Sequence, residues 1–127
     1  MKAAMKPMSL ARQVDMVFRS LEEELRYLSS GAVFIQIRND TVGKFGIRHF
    51  PLEINEQKPN VEPVMTQEQL TAFRKMAVEA LEYKKNWTHG EVVFEFAIRR
   101  GVLSANVQLE SNYNMAAILE KKDNSAL

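Results

Sequence analysis

The sequence predicts an α+β domain: a pseudo-duplicated αββαββ chain whose four-stranded antiparallel sheet carries two helices on one face. Three observations lead there. Apolar residues recur at steps of three and four in two segments, and they alternate at every second position in four others. The change of period falls at Gly31 and again at Gly90. An alternating strand buries one side only, so all four strands fit one antiparallel sheet with a covered and an open face.

The first helix is predicted over about residues 9 to 29, with Leu10, Val14, Val17, Phe18, Leu21, Leu25 and Leu28 on one stripe. Its other side carries Asp15 with Arg19 and Glu22 with Arg26, each spaced for a surface ion pair, and Gly31 stops it. A strand over 32–38 then turns Val33, Ile35 and Ile37 one way and Ala32, Phe34, Gln36 and Arg38 the other. Asn39 to Gly43 reads as a loop leading to a second strand over 45–54. If Arg38 pairs with Lys44, Ile37 meets Phe45 and Ile35 meets Ile47, and the apolar sets share a face. In that register Phe34 and Arg48 are cross-strand neighbours.

Pro51, Pro59 and Pro63 bracket the polar stretch 55–58, read as the longest internal loop. Thr66 with Gln69 forms a capping box, and Met65 with Leu70 a hydrophobic staple, at the head of a helix expected over 66 to 87. Leu70, Phe73, Ala77, Ala80, Leu81 and Trp87 line its buried side. Strands follow over 91–99 and 102–110. The two-residue turn Arg100-Gly101 sets Ile98 against Leu103, Phe96 against Ala105, Phe94 against Val107 and Val92 against Leu109. The core is expected where Phe94 and Phe96 meet Leu21, Leu25, Phe73 and Leu81. Ser111 to Leu119 is read as a short helix or a further strand. The whole of 1–127 forms one domain, with 1–8 and 121–127 as flexible ends.

The halves resemble each other. Gly31 and Gly90, Val33 and Val92, Ile35 and Phe94, Ile37 and Phe96 match at one offset. Two residues fewer in the second hairpin would then bring Leu52-Glu53 onto Leu109-Glu110.

Composition narrows the function. At 127 residues, 46% apolar and 26% charged, the chain has the size of a single domain with an ordinary core. Seventeen Lys and Arg against sixteen Asp and Glu leave no global field to recruit nucleic acid, acidic lipid or acidic substrate. The absence of Cys removes disulfides, thiolate metal sites and cysteine nucleophiles together. The basic N-terminal residues are followed by Pro7, Arg12 and Asp15, which interrupt any leader-like apolar stretch. The longest uncharged run, Tyr27 to Ile37, is about half of what a membrane span requires. A cytoplasmic protein without membrane contact is the expectation.

Catalytic signals are weak. His49 and His89 have no carboxylate or hydroxyl placed beside them locally, and no His pair has metal-ligand spacing. His89 with Trp87 and Thr88 could line a small site, but reads more simply as a polar loop residue. Glu22, Glu23 and Glu24 fan around a helix instead of converging. Gly43-Lys44 lacks the upstream glycine and the Ser or Thr of a phosphate loop, and no glycine pair gives a dinucleotide fingerprint. We expect no catalytic residue, no cofactor and no metal.

One constellation remains. The face opposite the helices displays Phe34, Phe50 and Val93 as an apolar centre, with Gln36, Arg38, Arg48 and Arg99 as a rim. The chain is therefore read as a small non-catalytic regulatory or accessory protein, acting through a protein partner or as a homodimer on this face. The alternative is a single-stranded nucleic-acid platform on the same residues. Against that stand Glu95, the near-zero charge and the lack of an RNP-like aromatic motif. In a third arrangement Ser111 to Leu119 folds back and covers the face with Tyr113, Met115 and Ile118.

Overall fold

Alternation after Gly31 and after Gly90 puts the two most apolar strands at the centre of the molecule. A computed structural model describes residues 8–50, 56 and 62–125, with side chains to Glu120. Its elements are α1 (Leu10–Leu25), β1 (Ser30–Arg38), β2 (Thr41–Arg48), α2 (Gln67–Ala80), β3 (His89–Arg99), β4 (Val102–Ser111) and α3 (Met115–Ser125). The strands form one antiparallel sheet in the order β2-β1-β3-β4. The fold is thus the expected αββαββ with a third helix appended.

Val33, Ile35 and Ile37 of β1 lie beside Val92, Phe94 and Phe96 of β3, and all six are buried under α1 and α2. The helices meet the sheet through rings. Phe18 of α1 stands edge-on to Phe73 of α2 at 5.0 Å between centroids and to Phe94 at 5.5 Å, while Phe73 lies 5.1 Å from Phe96. Leu25 and Leu81 join this core, and Leu21 packs against it half-buried.

The ladder also locates the pseudo-twofold relating the halves. The offset that superposes Gly31 on Gly90 makes Phe34 equivalent to Val93, and these two are paired with each other between β1 and β3. Flanking pairs exchange across that point, Val33 with Phe94 and Ile35 with Val92.

Both hairpins turn on two residues at positive φ, Asn39-Asp40 and Arg100-Gly101, which suits the right-handed strand twist. The second hairpin has the predicted register throughout. The first does not: β2 begins at Thr41, Ile35 faces Phe45, Val33 faces Ile47, and Arg48 faces Ala32. Asn and Asp tolerate the left-handed region, so the turn closes within the first two residues of the predicted loop. A register shift opposite Gln36 inserts the extra residue that lets Val42 and Phe45, three apart, both lie on the helix side. β2 ends at Arg48, and positions 51–54, expected as strand, lie outside the described residues with Leu52-Glu53. The second hairpin is the longer, since β3 passes Ala97, the equivalent of Arg38, and turns only after Arg99.

Helix ends are earlier than periodicity implied. α1 stops at Leu25, and the Arg26 carbonyl accepts the amides of Val64 and Met65 at 2.8 and 3.0 Å, which satisfies a helix-end acceptor from the next segment. α2 carries the capping box at Thr66 and Gln69 but ends at Ala80 in a 3-10 turn, Leu81–Tyr83. Trp87 is buried without being helical. Its amide donates to Asp40 Oδ1 at 2.9 Å, and the Asn39 and Asp40 amides donate to the Thr88 and Trp87 carbonyls. The first hairpin tip is thereby fastened to the approach to β3. Each helix also holds one hairpin tip through a glutamine. Gln13 donates to the Asp40 carbonyl and accepts the Val42 amide, and Gln69 donates to the Gly101 carbonyl. The expected tail is helical over 121–125, as part of α3.

Three outcomes follow from this packing. Phe96→Ala, truncating a ring that is 2% exposed, should cost about 3–5 kcal/mol in chemical denaturation; an unchanged midpoint would contradict the core. Gly90→Ala should also destabilise, by about 1–3 kcal/mol, because an added Cβ would lie 2.3 Å from the Glu110 carbonyl oxygen and 2.6 Å from the Trp87 ring. Asp15 is held below the usual carboxylate range by its hydrogen bond to Arg19 and then by that to Arg74 across the helix pair. A depressed carboxyl contributes stability that is present above about pH 4 and lost as pH falls through its folded value. Asp15→Asn should therefore be the less stable chain at pH 7, by up to about 1 kcal/mol, and should converge with the wild type in strong acid. Parallel pH profiles would contradict this.

Candidate functional site

With helices on the Val33 and Phe94 side, parity sends the other residues of each strand to the open face. β1 contributes Ala32, Phe34, Gln36 and Arg38, and β3 contributes Glu91, Val93, Glu95, Ala97 and Arg99. Phe34 and Val93, paired at the pseudo-twofold, are each half-buried at its centre.

Phe34 has room because its cross-strand neighbour is Gly46. A Cβ there would come within 3.0 Å of the ring. Arg48 is not directly opposite Phe34, as the predicted register had it. It faces Ala32 and reaches the ring diagonally, with its guanidinium carbon 4.7 Å from the centroid. The same guanidinium donates to Glu91 Oε1 at 2.7 Å, from β2 across β1 to β3. Glu91 also stands opposite Glu110, a like-charge pair that Arg48 relieves. Phe34, Val93, Arg48 and Glu91 form one connected unit.

The remaining predicted residues lie toward the two ends. Phe50 follows β2 and is 38% exposed; with Ala97, Arg99, Ser104 and Asn106 it lines an open pocket of ≈ 360 Å³. Gln36 and Arg38 line another of ≈ 340 Å³ with Lys44, His89 and Asn112. All seven residues singled out from sequence therefore belong to the open side, three at its centre, two at each end. Two participants were missed. Glu91 has the right parity in the alternating run, but its pairing with Arg48 depends on the strand order. His89 reaches its pocket because β3 begins there instead of in a loop.

The C-terminal segment does not cover this face. Every residue from Asn112 to Glu120 is exposed, Tyr113, Met115 and Ile118 among them. The Asn112 amide donates to the His89 carbonyl at 2.8 Å, so the chain continues in line with β4 before α3 begins. No described helix lies over Phe34 or Val93.

Elsewhere, His49 Nε2 lies 3.0 Å from Glu24 Oε2 of α1, a contact between separate elements that local reading did not reveal. Both side chains are exposed. Among the described residues no three His, Asp or Glu side chains gather as a metal site would require, and no helix is long and apolar enough to cross a membrane. Among the described residues the open face therefore offers apolar contact, one spanning ion pair and, at its ends, Arg and Lys outside any ion pair, an arrangement suited to holding a surface.

Comparison with protein-family models, with curated proteins and with solved structures gives no match for this chain, and the site is read from its own geometry.

Proposed function

We propose that this is a non-catalytic binding domain whose open sheet face receives a protein partner. The single observation that carries the reading is the connected unit at the pseudo-twofold: a half-buried Phe34–Val93 pair, capped by Arg48 and Glu91, with no described helix above it. A stable monomer has no use for an aromatic and an ion pair in the middle of an uncovered sheet. A partner gains a desolvated aromatic anchor and a charge pair that fixes orientation.

The charge pattern favours protein over nucleic acid. Arg38, Lys44 and Arg99 are offset on the same side by Glu95 and Glu110, and Arg48 is already committed to Glu91. A strand of phosphates needs an uninterrupted positive track. The same face of a second copy is one form the partner can take, and the test separates it.

The test is a double variant, Phe34→Ser with Arg48→Glu, compared with Phe50→Ser as a milder change. Both should melt cooperatively. The double variant should lose a discrete protein that the wild type captures from its native cell, with the capture weakened in Phe50→Ser. Retention of that partner by a folded double variant would overturn the proposal. Loss only of salt-dependent retention on single-stranded RNA or DNA would favour the nucleic-acid platform. Loss only of self-association in sedimentation velocity would identify the partner as a second copy.

A further inference from the structure

Two helices do not span four strands. α1 lies against the β2 side, while α2 meets β4 only along part of its length, so the helix-side row Ala105, Val107 and Leu109 is left partly bare. The flank of α2 and of the 3-10 turn that continues it carries Met76, Ala80 and Tyr83, with Met76 and Tyr83 exposed. Between them lies an apolar notch of ≈ 90 Å³ floored by Phe73, Ala77 and Phe94. It adjoins a broader depression along Met76, Ala80 and Tyr83, edged by Glu79 and Glu82. The helix layer is one helix short at this edge.

The same chain carries an unplaced helix. α3 starts at Met115, where Asn114 accepts the Ala116 amide at 2.9 Å in the manner of a cap. Its Met115, Ile118 and Leu119 are 64%, 51% and 53% exposed and fall on one stripe. A lone helix shorter than about 12 to 15 residues does not hold in water, and α3 has 11. It needs a surface to lie on, and the α2–β4 groove needs an amphipathic helix.

We propose that α3 docks in the α2–β4 groove of a second copy, and that the second copy returns the exchange. Its own groove is not where α3 lies: Met115, Ile118 and Leu119 stay exposed while the notch stays open. The Asn112 amide, bonded to the His89 carbonyl, keeps the segment in line with β4, and only Tyr113 and Asn114 remain before the helix. α3 has only this short tether to its own chain, and every residue from Tyr113 to Glu120 is exposed. Each copy has one helix to give and one groove to fill, so a twofold pair uses both and closes. The exchange lies on the helix side and leaves the open face of both copies outward, so it stands or falls independently of the partner proposed there.

The absence of cysteine gives a direct test. Chains bearing Leu119→Cys are mixed with chains bearing Met76→Cys and oxidised, with Leu119→Cys plus Met16→Cys, on α1, as the control pairing. The expected product is a disulfide-linked pair from the first mixture in several-fold excess over the control. Sedimentation velocity should show a dimer for the wild type and a monomer for both Ile118→Glu/Leu119→Glu and Met76→Glu. Far-ultraviolet circular dichroism and a cooperative melt confirm that these chains fold. A monomeric wild type would overturn the proposal. So would a dimer that survives both sets of changes, or a double Leu119→Cys/Met76→Cys chain that closes within itself at high dilution.

Discussion

Everything in this molecule depends on the antiparallel pairing of β1 with β3 and on its burial from one side only. Val33 and Ile35 against Phe94 and Val92 form a row with no exposure beyond a few per cent, and both helices converge on it through Phe18 and Phe73. Because successive side chains point to opposite faces, fixing that row fixes the other. Phe34 and Val93 must then meet on the open face. That positions 34 and 93 meet at the centre of the open side is a geometric consequence of the core beneath them; that one of them is an aromatic is not.

What that open centre does follows from its charges. Arg48 shields the Phe34 ring and is held there by Glu91, so in the free protein the aromatic is partly covered by the domain's own side chain. A partner that displaced Arg48 would leave Glu91 without its cation, at substantial cost if the carboxylate were buried. A partner that packs around the unit keeps the pair and desolvates it, which sharpens orientation. The Arg48–Glu91 pairing favours the second mode, with the ion pair as a fixed part of the surface. The two proposed contacts divide the molecule by layer, the sheet face for the partner and the helix side for a second copy.

Much of this was legible in the sequence because it depends on period. Alternation after the two glycines located all four strands, and the capping box at Thr66 located the start of α2. The Arg100-Gly101 turn set a whole ladder correctly, since a two-residue loop leaves no freedom in register. The first hairpin was misread by two residues. Its apolar parity is satisfied in either register, and only the tight Asn39-Asp40 turn with the shift opposite Gln36 distinguishes them. Helix ends were overrun at Leu28 and Trp87 because both are apolar residues at helical spacing that pack on the core from outside a helix. That the seven candidate residues share the open side needed only parity to be read. The Arg48–Glu91 pair needed the strand order, which no local pattern contains. The exposure of α3 was also beyond local pattern, since an apolar stripe does not by itself say whether the chain's own groove takes it.

The central claim is that the Phe34–Val93 centre is where another protein sits, and contact mapping by light reaches it most directly. A photoreactive benzoylphenylalanine in place of Val93 and, as a control, in place of exposed Glu68 at the start of α2 would be irradiated in the native cell and the adducts identified by mass spectrometry. The account predicts one discrete protein adduct from the Val93 position and none of the same mass from Glu68. Equal adducts from both positions, or none from Val93 in a chain shown to be folded, would contradict it.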